Sequence, residues 1–119
     1  MIYNLTQHAP TPAQAAEGVG HPLEGSRPLI TFDSLPSARE IMQRAEAAAS
    51  LLREAGARPG DRVMIGGAPY FMGALEGALL GAGFKPVYSF TRRDCVETPL
   101  PDGTVKKEYV FAHAGWVEV

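Results

Sequence analysis

One feature of the sequence limits the possible folds more than any other: a helical segment is followed, after a tight turn, by a short strand. From residues 36 to 56, small and apolar side chains recur at helical spacing, and charged residues occupy the opposite face. The turn at residues 58–61 leads into Val63-Met64-Ile65, which is too short for a helix and ends at Gly66-Gly67. A helix that leads directly into a short buried strand is typical of α/β folds with a parallel sheet.

The same alternation occurs on both sides of this unit. Residues 1–5 predict a first buried strand, and residues 12–17 predict a short helix that begins with a proline. Residues 69–82 predict a further helix, and residues 86–90 predict a third strand. We therefore expect a single α/β domain of the Rossmann type over residues 1–119, with about three parallel strands and flanking helices.

Two segments depart from this alternation. Residues 18–36 are rich in glycine and proline and predict a loop, in which only residues 29–32 have an ordered pattern. Residues 96–99 and 105–111 are strand-like and flank Asp102-Gly103, a strong reverse-turn signal. The domain is therefore expected to close with a C-terminal antiparallel hairpin, and residues 116–119 are candidates for a last strand.

Composition excludes several classes of function. The net charge of −2 and the pI near 5.9 supply no broad basic face, so duplex nucleic acid is not an expected partner. The apolar stretch 68–84 is interrupted by Glu76 and by glycines, and it is too short to span a membrane. No leader pattern precedes the first strand, so we expect a cytoplasmic protein. The single cysteine, Cys95, excludes an internal disulfide, and we expect it to be a small, partly buried residue.

Polar and glycine residues follow the three predicted parallel strands. In open α/β sheets, ligands bind beyond the carboxyl ends of the strands, so these residues are the candidate binding residues. They are Asn4, Thr6 and His8 from the first strand; Gly66, Gly67, Ala68 and Tyr70 from the second; and Ser89, Thr91, Arg92 and Arg93 from the third.

Several of these residues suit a phosphate group. Glycine lets the backbone approach a ligand closely, and the N-terminus of the helix at Pro69 offers free N–H groups and a positive dipole end. Arg92 and Arg93 can form charge-assisted bonds to phosphate. The hydroxyls of Thr6 and Ser89 can bond to the same group.

A histidine at a strand end can act as a general acid or base, and His8 is the candidate for that role. Ordinary structural roles remain open beside the functional ones. They are a tight turn at the glycine pair, a loop histidine at His8, a solvated loop or an ion pair at the arginines, local backbone bonds for Thr6 and Ser89, and core packing for Tyr70. His21 and His113 have no partner that the sequence indicates. We expect neither a metal nor another cofactor.

Four segments, in this order, resemble a known family. They are residues 4–8 with 11–14, residues 65–72, residues 86–93, and residues 102–107 with Phe111 and His113. Together they resemble the small stand-alone CRISPR-associated ring nucleases of the Csx group, including related phage and prophage proteins. The resemblance implies a CARF-like Rossmann fold, a homodimer, and binding or degradation of the cyclic oligoadenylate messengers of type III CRISPR systems.

The implied chemistry is a metal-independent cleavage. A substrate 2′-hydroxyl attacks the adjacent phosphorus once the protein fixes an in-line geometry and stabilises the developing charge. Residues 66–70 would hold the phosphate beside Arg92, His8 would protonate the leaving 5′-oxygen, and Arg93 and Thr91 complete the expected catalytic set. Two alternatives stay open at this point: a nucleotide-binding module that does not cleave, and a protein that binds a macromolecular partner.

Overall fold

The computed structural model describes residues 1–119, which form five strands and four helices. In chain order these are β1 (Ile2–Leu5), α1 (Pro12–Ala16), β2 (Val19–Pro22), α2 (Arg27–Ile30), α3 (Ala38–Glu54), β3 (Arg62–Ile65), α4 (Pro69–Gly81), β4 (Lys85–Pro99) and β5 (Val105–Glu118). The protein is therefore a mixed α/β structure, as the alternation of patterns predicts.

All five strands belong to one sheet with the order β2-β1-β3-β4-β5. β1 pairs in parallel with both β2 and β3, and β3 pairs in parallel with β4. β5 runs antiparallel to β4 and closes the sheet as a C-terminal hairpin. The sheet is thus mostly parallel with an antiparallel edge, and it has four parallel strands where the sequence predicts about three.

The additional strand lies in the segment that the sequence predicts as a loop. β2 places only Val19 in the core and ends at Pro22, so it is a short edge strand without an alternating pattern. The same segment contains the one-turn helix α2, which buries Ile30. The prediction of a loop over residues 18–36 is therefore wrong in part, because edge elements this short carry little periodicity.

Helices α3 and α4 follow from clear local signals. The Ser37 hydroxyl accepts a bond from the backbone N–H of Glu40 and so caps α3, whose buried face is Ala45, Ala48, Ala49 and Leu52. Pro69 occupies the first turn of α4. Both helices pack with alternate residues of the strands in the main core, because strand side chains point to the two faces in turn.

The opposite face of the sheet has a smaller apolar cluster. It comprises Ile2, Val19, Met64 and Val87, with Trp116 packed against it. Of the helices, only the five-residue α1 contributes a side chain to this side of β4, through Gln14. The long helices therefore cover one face, and the second face is covered mainly by residues near the two chain ends.

The hairpin is longer than the sequence predicts. β4 continues without a break from the third parallel strand to Pro99, and β5 pairs with it from Val105 to Glu118, with an irregularity between Phe90 and Thr91. Asp102-Gly103 forms the turn as predicted, with the Asp102 carboxylate accepting bonds from Thr104. Residues 91–113, here called the arm, form a two-stranded ribbon.

The arm changes two predictions about its residues. Thr91, Arg92 and Arg93 lie within a strand and not in a loop after one, because strand pairing with β5 continues past the end of β3. Cys95 is exposed on the arm and not partly buried. The principal extents of the chain are 59 × 32 × 23 Å. None of its helices combines the length and apolar character needed to cross a membrane.

Candidate functional site

A cleft of about 530 Å³ opens beyond the carboxyl ends of β1 and β3, beside Tyr88 and Ser89 of β4. β1 and β3 are neighbours, and the chain proceeds from β1 to β2 on one side and to β3 and β4 on the other. This change of direction is the place where α/β sheets usually bind ligands. The lining residues are Thr6, Gln7, His8, Ala9, Thr11, Gln14, Met64, Ile65, Gly66, Gly67, Tyr88 and Ser89.

Asn4 fixes the backbone on the β1 side of the cleft through side-chain hydrogen bonds. Its side chain is buried and donates hydrogen bonds to the backbone oxygens of His8 (3.0 Å) and Gly20 (3.1 Å). Its amide oxygen accepts bonds from the backbone N–H (2.9 Å) and the hydroxyl (2.7 Å) of Thr6. All four bonds go to the protein, so Asn4, a candidate ligand-binding residue in the sequence, shapes the loop that carries Thr6 and His8.

Asn4→Ala is expected to lower the free energy of unfolding by about 1–3 kcal/mol, because buried partners lose hydrogen bonds. Urea denaturation of the two proteins measures this loss. Ser26→Ala is the control, because that buried hydroxyl makes a single bond, to the carbonyl of Leu23, and its removal should cost less. An Asn4→Ala protein as stable as the wild type would contradict the assigned role.

The β3 side of the cleft is a tight turn followed by a helix end. Gly67 has a φ of 146°, which other residues rarely adopt, and a side chain on Gly66 would meet the Thr6 methyl at 3.7 Å. The N-cap of α4, Ala68, has no side-chain acceptor for the first N–H groups of the helix. Pro69 has no N–H, and the N–H of Phe71 bonds to the Ala68 carbonyl at 3.0 Å. The remaining N–H of the first turn and the helix dipole favour an anion beside Gly66 and Gly67.

The β4 side of the cleft carries a chain of hydrogen-bonded polar side chains. The Ser89 hydroxyl lies 2.6 Å from Nδ1 of His113, and Nε2 of His113 lies 2.7 Å from a carboxylate oxygen of Glu17. The Trp116 indole donates to the same Glu17 oxygen at 2.7 Å and packs against the His113 ring. We call Ser89, His113 and Glu17 the relay. Only Ser89 of the three lines the cleft.

The N-terminus of α1 fixes the direction of the bonds in the relay. The Gln14 amide oxygen accepts from the backbone N–H of Thr11 in a capping box, so its NH₂ group points to Ser89 and donates to the hydroxyl (3.1 Å). With that bond accepted, the Ser89 hydroxyl donates to Nδ1 of His113, and Nε2–H donates to Glu17. The arrangement prepares the serine oxygen to receive a proton while its own proton passes to His113.

The charge of Glu17 is stabilised by its neighbours. The hydrogen bond from His113 lowers the pKa of Glu17 most, and the bond from Trp116 lowers this pKa further. A depressed carboxyl pKa means that these bonds stabilise the fold above the usual pKa of glutamate and are lost as the pH falls through the lowered value. The His113 side chain is only 4% exposed, so the ring is held between its two partners.

Tyr88 also lines the cleft, and the pKa of its phenol is strongly raised. Its hydroxyl donates to a Glu76 carboxylate oxygen on α4 at 3.2 Å. Burial, and then the negative charge of Glu76, raise the pKa of Tyr88 to about 12. The neutral phenol is thus the form that the fold prefers, and its contribution to stability is lost as the pH rises from about 10 to about 12.

We therefore expect the tyrosinate absorbance of the wild type to contain a late step near pH 12 that Tyr88→Phe lacks. The measurement is a difference titration of the two proteins in the near ultraviolet. The same substitution should also make stability less dependent on pH in the alkaline range. A late step that persists in Tyr88→Phe would contradict the assignment to this residue.

The structure brings together only part of the set that the sequence proposes. Thr6, His8, Gly66, Gly67 and Ser89 line the cleft. Ala68 caps α4 and does not line the cleft.

The other candidates lie elsewhere. Tyr70 packs edge-on against Phe32, outside the cleft. On the arm, Arg92 pairs with Asp94, Arg93 stacks over Tyr109 at 3.9 Å, and Thr91 lies in the strand.

Sequence reasoning missed Glu17, Gln14 and Trp116 and left His113 without a partner. Glu17 and His113 are 96 positions apart in the chain and meet only because β5 returns along β4 beside α1. The one local signal was the Thr11–Gln14 capping pattern, which fixes the start of α1 and the orientation of the Gln14 amide. Nowhere in the chain do three or more histidine, cysteine, aspartate or glutamate side chains group as a metal site would require.

The model of a family described as the Uncharacterized protein MJ1673 family matches residues 1–117. No curated protein and no solved structure matches the chain.

Proposed function

The chain belongs to the MJ1673 family, and from the chemistry of its cleft we propose that it is a metal-independent ring nuclease. The proposed substrate is a cyclic oligoadenylate of type III CRISPR signalling, cyclic tetra-adenylate in the first place. The proposal includes a cytoplasmic location, a Rossmann-like fold of the CARF type and a homodimer. The segment resemblance supports these parts, and the geometry of the cleft supports the reaction.

One observation carries the proposal: Ser89 at the end of the relay, the glycine turn and His8 line a single cleft. Cleavage of RNA by its own 2′-hydroxyl needs a proton acceptor, a proton donor and a site that stabilises the phosphorane charge. Ser89 with its relay, His8, and the N–H groups at Gly66-Gly67 supply these three elements. β3 lies between β1 and β4, so the two proton-transfer sides are roughly 10 Å apart across the strands, which leaves room for a phosphate.

The first proton transfer takes place on the β4 side. The Ser89 oxygen accepts the proton of the attacking 2′-hydroxyl while its own proton passes to Nδ1 of His113. His113 becomes positively charged, and the ionised Glu17 at 2.7 Å stabilises that charge. The relay thus raises the basicity of a hydroxyl that is a poor base alone.

The second proton transfer takes place on the β1 side. As the bond from the 2′-oxygen to phosphorus forms, the bond from phosphorus to the 5′-oxygen breaks, and protonated His8 gives its proton to that oxygen. The products are a 2′,3′-cyclic phosphate and a 5′-hydroxyl on a linear oligonucleotide. During this step the negative charge on the phosphate oxygens lies beside the α4 N-terminus.

Incubation of the purified protein with cyclic tri-, tetra- and hexa-adenylate in EDTA tests the proposal, with products identified by mass spectrometry. We expect linear adenylates ending in a 2′,3′-cyclic phosphate, and a Ser89→Ala control that binds the ring but forms almost no product. Absence of product at excess enzyme would overturn the proposed activity. If calorimetry then showed tight binding of an intact ring, the protein would be a sequestering module.

A further inference from the structure

The arm exposes an unusual amount of apolar surface. Its side chains include Phe111 (75% exposed), Tyr109 (57%) and Val105 (52%), with Val96 and Val110 also exposed. A two-stranded ribbon is marginally stable in water unless something packs against it. At nine residues per strand it extends for about 30 Å with no other strand of this chain beside it.

The accessible surface and the radius of gyration of the chain also exceed those of a compact monomer. A compact monomer of 12.7 kDa has an accessible surface of about 6,200 Å², whereas this chain exposes 7462 Å². The radius of gyration is 17.4 Å, against about 13.5 Å for a compact domain of this length. The excess of roughly 1,200 Å² is larger than the share of about 800 Å² that each partner contributes to a standard protein interface.

The charges of the arm favour a second copy as its partner. The arm holds four cationic residues, Arg92, Arg93, Lys106 and Lys107, and four anionic residues, Asp94, Glu97, Asp102 and Glu108, so its formal charge is zero. Three ion pairs form within the arm itself. Two such arms meet without repulsion, whereas a nucleic acid or an acidic protein would find no net positive charge.

One face of the arm continues the wall of the cleft. Alternation along β4 places Arg93 on the same face as Ser89, and strand pairing places Phe111 and Tyr109 there beside His113. A two-fold interface uses the same patch on both copies. Antiparallel packing of this face against itself brings the outer half of each arm over the inner end of the other, where Ser89 and His113 lie.

We propose that the arm is the self-association surface of this protein. A second copy packs its arm antiparallel on this one, cleft face to cleft face. The self-association stands on the exposed area and is independent of the nuclease activity.

Sedimentation velocity over a range of concentrations tests the self-association. We expect a wild type of twice 12.7 kDa and a monomeric Phe111→Ser/Tyr109→Ser double variant. Leu35→Ser/Met42→Ser is the matched control and should remain dimeric, because it removes two exposed apolar side chains (97% and 53%) away from the arm. A monomeric wild type, or a double arm variant that stays dimeric, would overturn the proposal.

A second test uses only the wild-type protein, so its result does not depend on whether the variants fold. Cys95 is the only cysteine and lies on the cleft face of the arm, where it is exposed in a single copy and covered in the proposed dimer. We expect its reaction with a thiol reagent to slow as the protein concentration rises through the range in which dimers form. A reaction rate that does not change with protein concentration in that range would overturn the proposal.

Discussion

His113→Ala is expected to slow the cleavage of cyclic tetra-adenylate by about 10²- to 10⁴-fold, the usual contribution of a positioned proton transfer. The ring of His113 is the only group in the structure that accepts the Ser89 proton, at 2.6 Å, and Glu17 stabilises its charged form. Binding of the intact ring should change little, because His113 does not line the cleft. Single-turnover cleavage and calorimetry measure the two effects separately.

Two comparisons distinguish a proton relay from a structural role of His113. The pH–rate profile of the wild type should have an acidic limb that flattens in His113→Ala, a change that loss of packing would not produce. His21→Ala, which removes an exposed histidine from β2, should cleave at the wild-type rate. Glu17→Gln should give a smaller loss than His113→Ala, because it removes the charge and leaves the ring. A His113→Ala protein with the wild-type rate and profile would exclude the relay.

His8→Ala is expected to slow the same reaction by about 10²- to 10⁴-fold through loss of the proton donor. His8 is exposed at the cleft, and its side chain has no hydrogen bond in the structure, so stability should be unaffected. The basic limb of the pH–rate profile should flatten in this variant. The measurement is single-turnover cleavage across the pH range, with thermal unfolding as the check on folding.

A modified substrate separates the two histidines. A ring with sulfur in place of the leaving 5′-oxygen needs no proton donor, because a thiolate leaves readily without one. His8→Ala should cleave this ring at nearly the wild-type rate, whereas His113→Ala should remain slow. Slow cleavage of the sulfur-containing ring by His8→Ala would show that His8 does not act as the acid.

The parts of the fold that the sequence predicts correctly are those with local signals. The helical periodicity of residues 36–56, the turn before Val63 and the glycine pair after Ile65 give α3, β3 and the cleft wall at nearly their observed bounds. The prediction that the residues after β1 and β3 share one cleft with Ser89 also agrees with the structure, because it depends only on the strands being parallel and adjacent.

The parts that were not predicted depend on distant pairing. The sequence places the arginines in a loop after a strand of five residues, but β5 extends that strand and moves Arg93 onto the arm. His113 has no local partner, and its contacts with Glu17 and Ser89 require the β4–β5 register and the position of α1 together. A tertiary pairing of this kind leaves no periodic signal in the segments that form it.

The contact between Glu17 and His113 also has a consequence for the order in which the protein folds. It joins residues that are 96 positions apart in the chain, so it closes a long loop. The backbone hydrogen bonds of the helices are local and can form earlier, because contacts between distant residues form more slowly than local ones. A chain in which β5 has not yet paired with β4 therefore lacks the relay, even where its helices are already formed.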